Sequence, residues 1–279
     1  MKKFNVGIQL YGVRGSMAAD FEGTIKAISE MGYEYVEFAG YHGRSSEEIK
    51  AILEKYNLKC ISVHQSLDFF DENPDEKCEF LKNFGVKYNV IPWYEKTKLA
   101  GSDEWEETKK KFCDAADLLK KNGMMLGYHN HEFEFVKVGE KYIHDHIFEA
   151  VAEDKIVPEL DTCWVKYAGL DPVDMIRKYK GRVEIVHLKD FVCDSFAAGP
   201  AYDLIDGSGN DSGKAKSRDE NGFRFRPLGR GIQDFKAILE ACEACGTETV
   251  IVEQDQTYDI SELEAARISR EYLRNEFGI

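Results

Sequence analysis

The sequence lacks any apolar run approaching the roughly 20 residues that a membrane-spanning helix requires. It also lacks an excess of basic side chains: 37 Lys and Arg stand against 51 Asp and Glu, a formal net charge of −14. Neutralising phosphates needs a basic face, so this balance argues against general nucleic-acid binding. The start carries a Lys-Lys pair, but Asn5, Gly7 and Gln9 interrupt the unbroken apolar segment that a secretion signal needs. The seven cysteines are odd in number and scattered, in a chain too long to need disulfide staples. Cys242 and Cys245 form one CxxC late in a helical segment, with no second pair for zinc. These absences predict a cytoplasmic protein with reduced thiols and neither nucleic-acid nor membrane partners. Linkers and low-complexity tracts are missing too, so residues 1–279 read as one domain.

What is present is a regular alternation. Strand-like segments at 4–10, 33–39, 58–64, 86–91, 124–129, 156–160, 183–188 and 249–253 are separated by segments with helical spacing. Gly32 stands where a C-cap ends a helix, Ser45 or Ser46 where an N-cap starts one, and Pro172 in a first turn. Such a series of β-α units predicts a (β/α)8 TIM barrel, a fold of about 250 residues. A doubly wound sheet is the rival, but the first strand-to-helix turn, residues 10–16, carries no G-x-G-x-x-G fingerprint. Residues 191–230 are rich in Gly, Ser, Asp and Asn and show no sustained period. They far exceed the roughly 2–6 residues of an ordinary connection, so a long loop insertion after strand seven is expected, placed to cover an active site.

In such a barrel the residues that follow each strand face one mouth. Here they are His64 after strand three, His129, His131, Glu132 and Glu134 after strand five, Asp161 after strand six, His187, Lys189 and Asp190 after strand seven, and Glu253 and Asp255 after strand eight. Any one histidine is as well explained by a structural hydrogen bond. The set together offers the oxygen and imidazole donors that suit Mn, Mg, Co or Zn.

Four of these segments carry a resemblance. Tyr128-His-Asn-His-Glu-Phe-Glu-Phe135, Glu159-Leu-Asp-Thr162, Val186-His-Leu-Lys-Asp190 and Val252-Glu-Gln-Asp255 resemble the strand-end motifs of the xylose-isomerase-like TIM-barrel superfamily, and within it the sugar phosphate isomerase/epimerase family. The resemblance spans essentially the whole chain. It implies one divalent metal ion, manganese first with magnesium, cobalt or zinc as alternatives, held by Glu134, Asp161, His187 and Glu253. Glu132 is the fallback for Glu134, because the strand-five position where many epimerases carry the glutamate is nearer His129 here. It also implies a small carbohydrate substrate.

The chemistry of such a site is specific. A proton beside a carbonyl leaves at neutral pH only if the developing enediolate oxygen is stabilised, which a metal does as a Lewis acid. Glu134 and Glu253 are then expected to remove and return protons on the two sides of a carbon, with His129 and His131 as extra metal ligands or further acid/base groups. This predicts a metal-dependent sugar or sugar-phosphate isomerase/epimerase. The same machinery serves a lyase that dehydrates a keto-inositol or cleaves a 3-keto-glycoside or C-glycoside by elimination. His64, Trp93, Trp164, Lys189 and Arg226 are candidate substrate contacts, the tryptophans against sugar C–H faces and the cations on oxygens; barrel-end packing explains the tryptophans equally well. Gly229-Arg230-Gly231 before a helix is a candidate phosphate cradle, or simply a turn. A homo-oligomer is compatible with the sequence, which carries no stripe that demands one.

Overall fold

The computed structural model describes residues 4–196 and 220–279. Eight parallel strands close into a barrel in chain order: β1 Asn5–Gln9, β2 Tyr35–Phe38, β3 Lys59–His64, β4 Tyr88–Ile91, β5 Met125–His129, β6 Ile156–Asp161, β7 Ile185–Leu188 and β8 Thr249–Val252. The last strand returns to the first, with Asn5 opposite Thr249 and Ile8 opposite Val252. The TIM barrel read from the alternation is the observed fold.

Side chains along a strand alternate between the two faces of the sheet, so each barrel strand feeds two cores. The outward set, including Val36, Phe38, Val63, Leu126, Leu160, Val186 and Val250, packs beneath the helices in the main apolar cluster. The inward set begins as a second cluster of Tyr88, Val90, Val157, Ile185 and Ile251. Gly127 belongs to this tight interior: a Cβ there would stand 2.7 Å from Val90 Cγ2. Two residues further along the same inward faces the character changes from apolar to ionisable. Val157 is followed by Glu159 and Asp161, Ile185 by His187 and Lys189, and Ile251 by Glu253. This apolar plug beneath a polar layer positions the site.

The local signals act as their chemistry requires. Ser45 caps Ser46–Lys55 by a reciprocal box with Glu48, and Gly32 ends Phe21–Met31 with φ 92°. The helical segment that ends at Gly32 is divided, because Asp20 leaves Arg14–Ala19 and N-caps Phe21–Met31 through the Gly23 amide. The helix Thr162–Tyr167 has no counterpart in the sequence reading; it is a short turn after β6, capped by Asp161.

The described flanks of the insertion pair with each other. Asp190–Val192 pairs antiparallel with Arg224–Arg226, with Phe191 opposite Phe225. The part of the expected insertion at 197–219 lies outside the described residues. The base of the loop is tied by Asp190: its carboxylate accepts from the amides of Gly229 (3.0 Å), Gly231 (2.8 Å) and Gln233 (3.2 Å). That corrects the phosphate-cradle reading of Gly229-Arg230-Gly231, since two of those amides are already turned onto an internal anion.

Candidate active site

The mouth of the barrel opens into a cavity of about 1030 Å³. His129 and Glu253 meet Asp161 and His187 at its floor, the four offering buried ligand atoms that all lie within 4.8 Å of one another. Each comes from a different strand, and the register explains their meeting: Asp161 on β6 is paired with His187 on β7. Asp161 is well placed by its own sequence context. As the N-cap of Thr162–Tyr167 it uses Oδ1 for the amides of Cys163 (2.8 Å) and Trp164 (3.2 Å), and its backbone is gripped by the Asn130 side chain at the Asp161 N–H (3.0 Å) and C=O (3.3 Å). The second oxygen, Oδ2, is left for the site.

Lys189 enters the same floor. Its buried ammonium lies 2.9 Å from Asp161 Oδ2, 2.8 Å from Glu253 Oε2 and 3.1 Å from Asp255 Oδ1, and 5.2 Å from the ring centroid of Trp164. Burial works against its charge, but the three carboxylates outweigh burial and hold its pKa well above the ordinary lysine value. Burial likewise opposes ionisation of Glu253, and Lys189 and His187 overcome it, keeping that carboxyl well below the usual range. Asp255 is pushed up to about 6 by burial, against the pull of Lys189.

Beneath the floor lies a second polar layer. Glu159 Oε2 is 2.6 Å from His64 Nε2 and 3.0 Å from His129 Nδ1, while Glu37 Oε1 is 3.0 Å from both His64 Nε2 and His187 Nε2. Glu37 accepts in turn from Gln9 Nε2 at 2.6 Å and from the Ser62 hydroxyl. Burial lowers the affinity of His64 for a proton, but Glu37 and Glu159 more than compensate and push it up to about 10. His129 goes the other way: burial and the nearby His187 and His64 keep it neutral, its pKa well below the ordinary histidine value.

The donor chemistry of the floor fits a divalent cation. Two imidazole nitrogens and two carboxylate oxygens, buried and converging from four strands, match the mixed N/O sets that first-row metals take. Of the residues expected to hold it, the structure brings Asp161, His187 and Glu253 together and adds His129 from the strand-five position. It does not bring Glu134 there. That carboxyl sits in the turn Phe133–Phe135, accepting from the Tyr128 hydroxyl (2.9 Å) and the His131 amide (2.8 Å). Complete burial raises it to about 8. Glu132 and His131 do reach the cavity wall.

Of the substrate contacts expected, His64, Trp93, Trp164 and Lys189 line the cavity and Arg226 does not; its guanidinium lies 5.9 Å from the ring centroid of Tyr258. Trp93 is half exposed at the wall, whereas Trp164 is buried and stacked on Phe223 at 5.5 Å, so the insertion packs onto it. Glu37 and Glu159 were missed as site residues. The signal was there: each is a carboxylate at an inward strand position, Glu37 in Tyr35–Phe38 and Glu159 in Ile156–Asp161.

Comparison with known proteins agrees with the barrel fold. The family described as xylose isomerase-like TIM barrel matches residues 25–276. The inosose dehydratase of Geobacillus kaustophilus (strain HTA426) is 27 % identical over 188 residues, and the match spans about 60 % of this chain and 60 % of the relative's length. A sugar phosphate isomerase/epimerase from Parabacteroides distasonis ATCC 8503 superposes with a TM-score of 0.76 at 21 % identity, covering 98 % of this chain and 94 % of its own. The IolI protein, solved with a bound zinc atom, superposes with a TM-score of 0.69 at 16 % identity, covering 97 % of each chain.

Proposed function

The chain belongs to the xylose isomerase-like TIM barrel family, and on that premise we propose that it is a divalent-metal-dependent lyase that dehydrates a keto-cyclitol or keto-sugar by removing a proton next to the carbonyl. His129, Asp161, His187 and Glu253 are the residues that would hold the cation, which when bound supplies Lewis acidity to the substrate carbonyl. The zinc in IolI and the dehydratase activity named for the Geobacillus relative support this reading.

The observation that carries it is the pairing of Glu253 with Lys189 on the cavity floor, 2.8 Å apart. A carboxylate held ionised stands ready to accept the proton, and a fixed ammonium beside it stabilises the negative charge that develops on oxygen. His131 on the wall donates a proton to the departing hydroxyl. The C–H proton passes to Glu253, the electron pair forms the new C=C bond, and the hydroxyl leaves as water. Glu253 then returns its proton to solvent and His131 takes one up, which restores both groups.

Elimination needs one base, whereas inverting a stereocentre needs groups on both faces of the carbon. Glu134, expected as the second base, is held in the loop by Tyr128 and His131, which weighs toward the lyase. The second reading is an isomerase or epimerase, favoured by the presence of a second carboxylate, Glu132, lining the same cavity as Glu253. Incubation with inososes and ketoses in heavy water, with Mn2+ added, separates the two. Loss of one water supports the lyase, and deuterium incorporation at unchanged heavy-atom composition supports the epimerase. Glu253→Gln is expected to abolish either activity, and a fully active variant refutes both.

A further inference from the structure

We propose that Glu159, with Glu37 beside it, is the positioning group of this centre, holding His129 to ligate through Nε2 and His187 to ligate through Nδ1. The inference rests on the metal-dependent reading above. A single oxygen, Glu159 Oε2, lies 2.6 Å from His64 Nε2, 3.0 Å from His129 Nδ1 and 3.2 Å from His187 Nε2, so imidazoles from β3, β5 and β7 converge on it. The opposite ring nitrogens face the cavity floor: His129 Nε2 is 3.7 Å from Asp161 Oδ2, and His187 Nδ1 is 2.8 Å from Glu253 Oε2.

A neutral imidazole has one N–H and one lone pair. A proton kept on the inner nitrogen, facing Glu159, leaves the lone pair on the outer nitrogen, where Asp161 and Glu253 stand. A carboxylate behind a ligating histidine sets its tautomer and ring orientation in this way. The barrel register supplies the geometry. Glu159 is paired with His129 on β5 and lies two residues before Asp161, on the same inward face and one layer deeper. Glu37 is held by Gln9 and Ser62, and the His64 ring stacks on His187 with centroids 5.5 Å apart and planes at 6°. The rings therefore have little freedom to turn over.

One rival arrangement exists. His64, His129, Glu159 and His187 also offer ligand atoms within 4.8 Å of one another. That inner set would need His129 Nδ1 and His187 Nε2, the nitrogens turned toward Glu159. Because a neutral ring has one lone pair to give, the two sets exclude each other, and the ligating nitrogen reports which is used. Both sets reach the cavity, the inner through His64 and His129 and the outer through His129 and Glu253; the outer is chosen because it brings two carboxylates to balance a dication, where the inner brings one.

The test is a proton–cadmium-113 correlation spectrum of the full chain loaded with Cd2+. Ligation through Nε2 couples cadmium to both ring C–H protons, and ligation through Nδ1 couples it chiefly to Hε1. The expected pattern is both couplings for His129 and Hε1 alone for His187; the reverse pattern overturns the inference. In Glu159→Gln, Cd2+ affinity measured by competition with a chromophoric chelator should fall ~10–100-fold, the usual cost of losing such a partner, with circular dichroism confirming the fold. Unchanged affinity together with unchanged couplings also overturns it. If the variant does not fold, the wild-type pattern decides alone. A wild-type protein that binds no cadmium, even with Mn2+ and Zn2+ also failing to bind, removes the metal-dependent reading itself, a result distinct from either pattern.

Discussion

Replacing Glu134 by Gln should make the protein's stability less dependent on pH. The folded carboxyl has its pKa pushed up to about 8 by burial, from an ordinary value of 4.5. Below 4.5 both folded and unfolded chains carry the proton, so the group contributes no slope. Between 4.5 and about 8 the folded chain keeps a proton that the unfolded chain has released, so wild-type stability falls as pH rises. At 1.36 kcal/mol per pH unit, this interval makes a loss of about 5 kcal/mol, levelling off above pH 8. Gln has nothing to release, and its amide keeps both contacts if its NH2 faces the Tyr128 oxygen and its carbonyl faces the His131 amide. Urea unfolding of both proteins from pH 4.5 to 9 should therefore give curves that diverge, with the variant the more stable at the alkaline end. Parallel curves would show that the carboxyl ionises normally and refute the argument. Metal content of the same variant adds a check on Glu134 as a ligand: an undiminished divalent ion agrees with its place in the loop, whereas a lost ion returns it to the ligand set.

Other outcomes follow from the same geometry. Burial opposes the charge on His187, but Glu159, Glu37 and Glu253 hold its pKa well above the ordinary value, so a cation must displace at least one proton. Isothermal titration with Mn2+ should then show affinity falling about tenfold per unit drop in pH, and a flat profile would count against His187 as a ligand. Trp164→Ala removes a buried ring stacked on Phe223 and should cost about 3–5 kcal/mol in urea unfolding; a loss within error would show that the insertion does not rest on it. Asp190→Ala takes the acceptor from the amides of Gly229, Gly231 and Gln233. Limited proteolysis should then cut near 220–230 much sooner than in wild type, and equal cleavage rates would remove the tie assigned to Asp190.

The sequence by itself determined the barrel and its mouth. Strand and helix signals are local, carried by apolar periodicity and by caps such as Ser45 and Gly32, so the order of the β-α units can be read without knowing how they pack. Because every strand delivers its last residues to one end, His129, Asp161, His187 and Glu253 could be named from their positions in the chain. What only the tertiary structure decided is which atoms meet. Glu134 follows β5 closely in sequence, yet Tyr128 and His131 hold it away from the floor. Glu37 and Glu159 sit inside strands, where a sequence shows only a charge in an apolar run, and their meeting with three histidines depends on inter-strand register. The pairing of Asp190–Val192 with Arg224–Arg226 likewise joins segments far apart in the chain, so no local period announces it. Periodicity is a property of neighbours in sequence; the direction of a carboxylate is set by neighbours in space.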